Sequence, residues 1–320
     1  MGESTGRTVA DLGEFGLIEA IRSQQPAGSG VLLGAGDDGA VLAAPDGRVV
    51  ISTDVLVEGV HFKGEWAPPE DIGRRAAAAT LADIAAMGAA ATGLVVSLTG
   101  PSGMSAKWAL GVAAGLAEEA ALVGASVVGG DLSAGRQVSI SVTGVGDLAG
   151  VEPVTRAGAR PGDTVALAGR QGWAAAGLAV LSRGFRSPRV LVEAYRRPQP
   201  PYPSGPRAAR AGATAMIDVS DGLVADAAHI AEASSVSIDI DPVRLPVPDE
   251  LRSAAAAFNA DPLAWVLTGG DDHALLATFP AGQTLPEEFL RMGEVVTADR
   301  APVLLAGQPW SEEEGFEHFR

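Results

Sequence analysis

The chain has 320 residues, 47% of them apolar, enough for a sizeable core and, at roughly 150 residues per domain, for about two domains. Its formal net charge is -16 and its only lysines are Lys63 and Lys107, which excludes the basic face of a nucleic-acid binder. The absence of cysteine excludes disulfides, thiolate metal sites and cysteine nucleophiles, in keeping with a cytoplasmic protein.

The N-terminus has no basic region followed by an apolar run, so no signal peptide is expected. Residues 12–23 predict a short amphipathic helix, and residues 28–36 form a glycine-rich loop. A Val/Ile strand is expected over 48–53. A long helix over 70–87 is then opened by Pro68 and Pro69 with acids in its first turn. The longest apolar stretch, 76–91, is interrupted by Asp83 and Gly88 and falls short of the about 20 apolar residues of a membrane span.

A strand at 92–99, a helix at 105–123 and a short strand at 126–128 follow, and 137–146 alternates with period two as a half-buried strand does. The order β, α, β, α, β, β after the opening helix implies an α/β domain over residues 1–150. Residues 157–163 read as a junction to a second α/β domain over 151–320. In it, strands are expected at 164–168, 215–218, 236–240, 274–279 and 303–306, helices at 172–182 and 220–234, and a proline-dense loop at 198–206.

Acidic residues recur where strands meet glycines, hydroxyls or helix starts. Gly36-Asp37-Asp38-Gly39 needs a cation or a solvated turn, and taken alone a turn explains it. Ser52-Thr53-Asp54 closes a strand with hard oxygen donors that suit magnesium, or else caps a turn. Asp83 lies among Leu81, Ala82, Ile84 and Ala85, where a partly buried charge needs a partner and an exposed helix position is the plain alternative. Gly129-Gly130-Asp131 follows a strand and lets backbone approach a ligand. In Asp218-Val219-Ser220-Asp221-Gly222, Asp218 ends a strand, Ser220 is placed to cap the next helix and Asp221 to lie in its first turn. Gly269-Gly270-Asp271-Asp272 repeats the glycine-pair pattern.

So many carboxylates repel phosphate unless divalent cations stand between, and phosphoryl transfer needs positioning and charge neutralisation above all. Neither the phosphate-binding G-x-x-x-x-G-K-[ST] loop nor the protein-kinase motifs are present, and no covalent nucleophile stands out.

The ordered motifs resemble the thiamine-monophosphate kinase family. GEFGLI begins at Gly13, GDDGA at Gly36, STDVLVEGVHF at Ser52, LADIAAMGA at Leu81, VGGD at Val128 and TRAGARPGD at Thr155. IDVSDGLVADAAHIAE at Ile217, GGDDHALL at Gly269 and GFEHF at Gly315 complete the set, which spans about residues 11–319. Where the family carries Gly-Gly-Glu-Asp-Tyr, this chain has Gly269-Gly270-Asp271-Asp272-His273, with a shorter acid and a histidine.

The resemblance implies transfer of the ATP γ-phosphoryl group to thiamine monophosphate, giving thiamine diphosphate. It also implies a two-domain α/β (α+β) fold like that of aminoimidazole-ribonucleotide synthetase, and a homodimer built through the N-terminal sheet. Positions matching magnesium ligands are Asp38, Ser52, Thr53, Asp54, Asp83, Asp131, Asp218 and Asp221. Gly130, Asp131, Arg156 and Ser220 match nucleotide contacts, and His61, Asp271 and Phe316 match substrate contacts. Several Mg2+ ions would bridge ATP and the acceptor phosphate, which is already ionised and needs no strong general base. Two other readings are an ATP-using enzyme of the same fold with another acceptor, and a non-catalytic acidic protein that binds divalent cations.

Overall fold

A computed structural model describes residues 8–24, 30–33 and 40–310, apart from the side chains of Glu14 and Phe15. The chain divides into two compact units. The first comprises residues up to Ile84 together with Ala90–Ala149, and the second comprises Ala85–Ala89 together with residues from Gly150 onward.

The first unit opens with helix α1 (Val9–Arg22), where Thr8 and Asp11 exchange hydrogen bonds as a capping box. Short strands β1 (Val31–Leu33) and β2 (Val41–Leu42) pair antiparallel. Then come β3 (Val50–Val57), α2 (Pro69–Ala86), β4 (Ala90–Gly100), α3 (Ala106–Ala121), β5 (Ser126–Ala134) and β6 (Ser139–Asp147). The last four strands form one sheet in the order β3-β6-β4-β5. Only β4 and β5 run parallel, because α3 supplies the crossover a parallel pair requires.

Leu94, Leu98, Ile140 and Val142 carry the buried face of this sheet, and Ile72, Ala76, Leu81, Ile84, Ala109, Val112 and Leu116 are the buried stripes of α2 and α3. Backbones of the two helices come close enough that a Cβ on Gly115 would stand 1.9 Å from the Glu70 carbonyl. The alanine and glycine content is thus spent on near-contact of helix axes.

The second unit contains β7 (Thr164–Ala168), α4 (Trp173–Ser182), α5 (Arg189–Arg196), α6 (Ser204–Arg210), β8 (Ala215–Val219), α7 (Leu223–Ser234) and β9 (Val236–Ile240). It continues with α8 (Asp249–Phe258), α9 (Pro262–Thr268), β10 (Ala274–Phe279), β11 (Phe289–Thr297), β12 (Val303–Leu305) and β13 (Gln308–Pro309). One sheet collects its strands in the order β13-β12-β9-β11-β7-β10-β8. All residues of β8 and β10 are buried, Asp218 and Thr278 among them, so these mostly apolar strands show no alternation. Ala85 and Ala86 pack into this unit's core with Val154, Ala166, Met216, Phe279 and Phe289, the last two rings meeting edge to face at 5.3 Å.

Several expected boundaries are corrected. The strand expected over 48–53 runs on to Val57, so Ser52, Thr53 and Asp54 lie inside it. Gly129, Gly130 and Asp131 lie inside β5, which is longer than the expected 126–128. Asp218 is followed by one further strand residue, Val219. Helix α7 starts at Leu223, past both Ser220 and Asp221, and neither residue caps it or lies in its first turn. Within the proline-dense loop, Ser204 already starts α6. Helices α5, α8 and α9 and strand β11 had no expectation at all.

Candidate functional site

Strand periodicity decides which oxygens of Ser52-Thr53-Asp54 act together. Asp54 pairs with buried Val142 and therefore faces α2, as does Ser52 two residues earlier. Thr80 and Asp83, three residues apart on α2, present their side chains on one face toward them. Ser52 Oγ donates to Asp83 Oδ2 at 2.5 Å, and Thr80 Oγ1 donates to Asp54 Oδ2 at 2.9 Å while also reaching the Val142 carbonyl at 3.2 Å. Four oxygen-bearing side chains are thus laced across the sheet–helix boundary. Asp83 is partly buried and has the partner such a charge needs.

Thr53 faces the other way. Its Oγ1 lies 3.0 Å from Thr143 Oγ1 and donates to the Val142 carbonyl at 3.2 Å. For a cation shared with Asp54, only its backbone oxygen is a suitable donor. Asp131 is also outside the group. The register pairs it with Ser97, Ser97 with Ser141 and Ser141 with Val55, all on the face opposite Asp54. Exposed there, Asp131 accepts from Ser133 Oγ at 2.9 Å. Beside it, a Cβ on Gly130 would meet the Val96 carbonyl at 2.1 Å, so glycine is required for the strand pairing alone. His61 lies in the turn after β3, and its Nδ1 accepts from the Val57 amide at 2.9 Å, which fixes the ring beside the strand end. Asp38 and Phe316 lie outside the described residues.

In the second unit the motifs around Asp218 and Asp271 adjoin backbone to backbone. Asp271 N donates to the Ser220 carbonyl at 2.8 Å and His273 N to the Val219 carbonyl at 3.1 Å. A Cβ on Gly270 would stand 2.1 Å from that same Ser220 carbonyl, which explains the glycine. Asp271 and His273 both hold left-handed backbone, with φ of 68° and 53°. Asp218 and His273 are buried, and Asp218 Oδ2 lies 3.0 Å from His273 Nδ1. Arg156 is exposed on a segment tied to β8 by Met216 N donating to the Thr155 carbonyl (3.0 Å) and to α7 by Ser234 Oγ donating to the Arg156 carbonyl (3.0 Å).

Two further carboxylates emerge here: Asp226, which the sequence reading did not single out, and Asp272, which it placed in the glycine-pair motif without a role. Asp226 accepts from the amides of Asp221 and Gly222, both at 3.1 Å, and so holds the turn that leads into α7. Burial first, then the charges of Asp218 and Asp221, push its carboxyl up to about 7. Asp272 accepts from Ala174 N at 3.0 Å and ties the loop to the start of α4, whose N-cap Gly172 has no side chain to do so. Burial pushes Asp272 up to about 7 as well, against the amides of Ala174 and Trp173 and the charge of Arg170. Its Oδ2, together with Arg170 Nε and Nη2 and Gln171 Oε1, is buried without a hydrogen-bond partner among the described residues. The one legible signal for these residues was spacing. Asp226 follows Gly222 by four, within reach of its amide at the start of α7, and Thr80 precedes Asp83 by three, on one face of α2.

These donors suit magnesium. In each unit they are hard oxygens, and the crowding of Asp218, Asp221 and Asp226 makes a field that a divalent cation relieves. Among the described residues no three His, Asp or Glu side chains gather closely enough to enclose a metal. Among the described residues no helix is long and apolar enough to cross a membrane.

Residues 36–148 match the family described as "AIR synthase related protein, N-terminal domain". The chain is 45% identical over 313 residues to the thiamine-monophosphate kinase of Mycobacterium tuberculosis, covering 98% of this chain and 93% of that protein. The crystal structure of the thiamine-monophosphate kinase from Stenotrophomonas maltophilia K279a superposes with a TM-score of 0.80 at 32% identity, covering 92% of this chain and 96% of that one. The structure described as "AaThiL complexed with AMPPCP and TMP" gives 0.79 at 29% identity, over 99% and 100% of the two chains. On this similarity, sustained over nearly the whole sequence, the chain belongs to the thiamine-monophosphate kinase family.

Proposed function

We propose that the chain phosphorylates thiamine monophosphate with ATP to give thiamine diphosphate, by direct in-line transfer at a site assisted by several Mg2+ ions. The observation that carries this is the laced group of Ser52, Asp54, Thr80 and Asp83, within a chain 45% identical to a thiamine-monophosphate kinase.

In the first unit Asp38, Ser52, Asp54 and Asp83 are assigned to magnesium, with Thr53 contributing its backbone oxygen, and Asp131, on the opposite face of the sheet, to a separate ion; in the second unit Asp218 and Asp221 are assigned to magnesium. When bound, the magnesium ions neutralise the charge of ATP and of the acceptor phosphate. Thr80 holds the Asp54 carboxylate and Ser52 holds that of Asp83, so these acids are oriented before any ligand arrives. Gly130, Asp131, Arg156 and Ser220 are assigned to the nucleotide. The Arg156 guanidinium is exposed and suits a phosphate oxygen. His61, Asp271 and Phe316 are assigned to the substrate. The acceptor phosphate is ionised at neutral pH, so no residue is required as a strong base and none as a covalent nucleophile.

A cytoplasmic homodimer is part of the same reading. Ile51, Val55 and Val95 stand 63%, 49% and 41% exposed on the sheet face away from α2, an apolar surface of the kind a second copy covers. The reaction is tested by magnesium-dependent ADP release with thiamine monophosphate, the product being checked by chromatography. One-to-one formation of thiamine diphosphate is expected. Activity with free thiamine alone would move the acceptor. Asp54→Asn or Asp38→Asn should lower turnover steeply at ordinary magnesium, and near-normal turnover in either removes the ligand assignment.

A further inference from the structure

Asp218 sits at the buried end of β8, and a histidine from the neighbouring loop reaches its carboxylate. The pair is enclosed, with side chains of His273 and Asp218 only 7% and 6% exposed. An ionised carboxylate only accepts, so with Asp218 serving as a cation ligand the contact at 3.0 Å is one in which the ring nitrogen Nδ1 carries the proton and donates to Oδ2. The ring cannot swing away easily. His273 N is bonded to the Val219 carbonyl, and the next residue, Ala274, begins β10 in register with Val219. On its other side Asp272 is bonded to Ala174 N. Backbone and ring of His273 therefore grip β8 at adjacent residues.

We propose that His273 is a positioning residue for Asp218, which holds Oδ2 so that Oδ1 is the oxygen left to serve the magnesium ion. The proposal rests on the assignment of Asp218 as a magnesium ligand. A carboxylate oriented in advance loses little freedom on binding a cation, whereas one without its outer partner must be ordered at the moment of binding.

The test measures binding and stability, and not turnover. Binding of a non-hydrolysable ATP analogue is followed by calorimetry across a magnesium titration. The variants are His273→Phe, which keeps a ring and removes the donor, and His273→Asn, whose amide nitrogen lies near the Nδ1 position and which tolerates left-handed backbone. Asp218→Asn completes the set. His273→Phe should raise the magnesium needed for half-saturation about 10-fold, the lower end of the range for loss of an outer partner. His273→Asn should return it to within about 3-fold of the parent. On the Asp218→Asn background, His273→Phe should add nothing. Thermal unfolding of the metal-free single and double variants should show the same coupling.

An unchanged midpoint in His273→Phe, with a shifted one in Asp218→Asn, overturns the positioning role and leaves the ligand assignment standing. An unchanged midpoint in Asp218→Asn overturns both. Should the Phe variant not fold, His273→Gln against His273→Asn gives the same contrast, since the Gln amide reaches the Nε2 position instead.

Discussion

Asp272 offers a stability measurement that depends on its burial and on nothing bound. It is 3% exposed, one oxygen accepts from Ala174 N, and the other has no hydrogen-bond partner among the described residues. Folding raises its carboxyl from 3.8 to about 7. At 1.36 kcal/mol for each pH unit between those values, the ionised form is disfavoured by about 4 kcal/mol. The folded state binds the proton more tightly than the unfolded chain. The stabilisation is therefore complete below about pH 4 and is lost as pH rises through about 7. Asp272→Asn keeps an acceptor for Ala174 N and removes the titration. Thermal unfolding without metal, from pH 4.5 to 8, should show the parent losing on the order of 10 °C relative to the Asn variant. Asp226 contributes a slope of the same sign to both proteins, so the difference between them isolates Asp272. A difference in Tm that stays constant across this range would refute the argument.

Other substitutions probe the first unit. Gly115→Ala would improve helix propensity, yet its Cβ would stand 1.9 Å from the Glu70 carbonyl. It should therefore destabilise by about 1–3 kcal/mol, read as a Tm drop of about 3–10 °C. Thr80→Val conserves shape but removes the donor to Asp54 Oδ2. It should cost about 1 kcal/mol in unfolding experiments and should raise the magnesium midpoint for binding an ATP analogue, with Thr80→Ser restoring both. The turnover loss expected for Asp54→Asn and the magnesium shift expected for His273→Phe complete the set.

The sequence alone determined the family, through motifs in fixed order, and most regular elements, because period-two and helical patterns are local properties of the chain. Strands 164–168, 236–240 and 274–279 were placed to the residue, being short apolar runs between clear turns. Helices α5 and α8 were missed. Their charged faces and proline-rich approach give little local signal, and packing within the second unit supplies what the pattern lacks. The candidate ligands were legible as residue types, but which of them act together was not. Three consecutive oxygens, Ser52, Thr53 and Asp54, look equivalent in one dimension. Strand pairing turns Thr53 away and hands Ser52 and Asp54 to Asp83 and Thr80, residues about thirty positions distant. Likewise Asp218 and His273 are 55 residues apart and meet only because β10 lies beside β8. Sequence fixes chemistry residue by residue, whereas a hydrogen bond at 3.0 Å between distant side chains is decided by sheet register, which only the folded chain possesses.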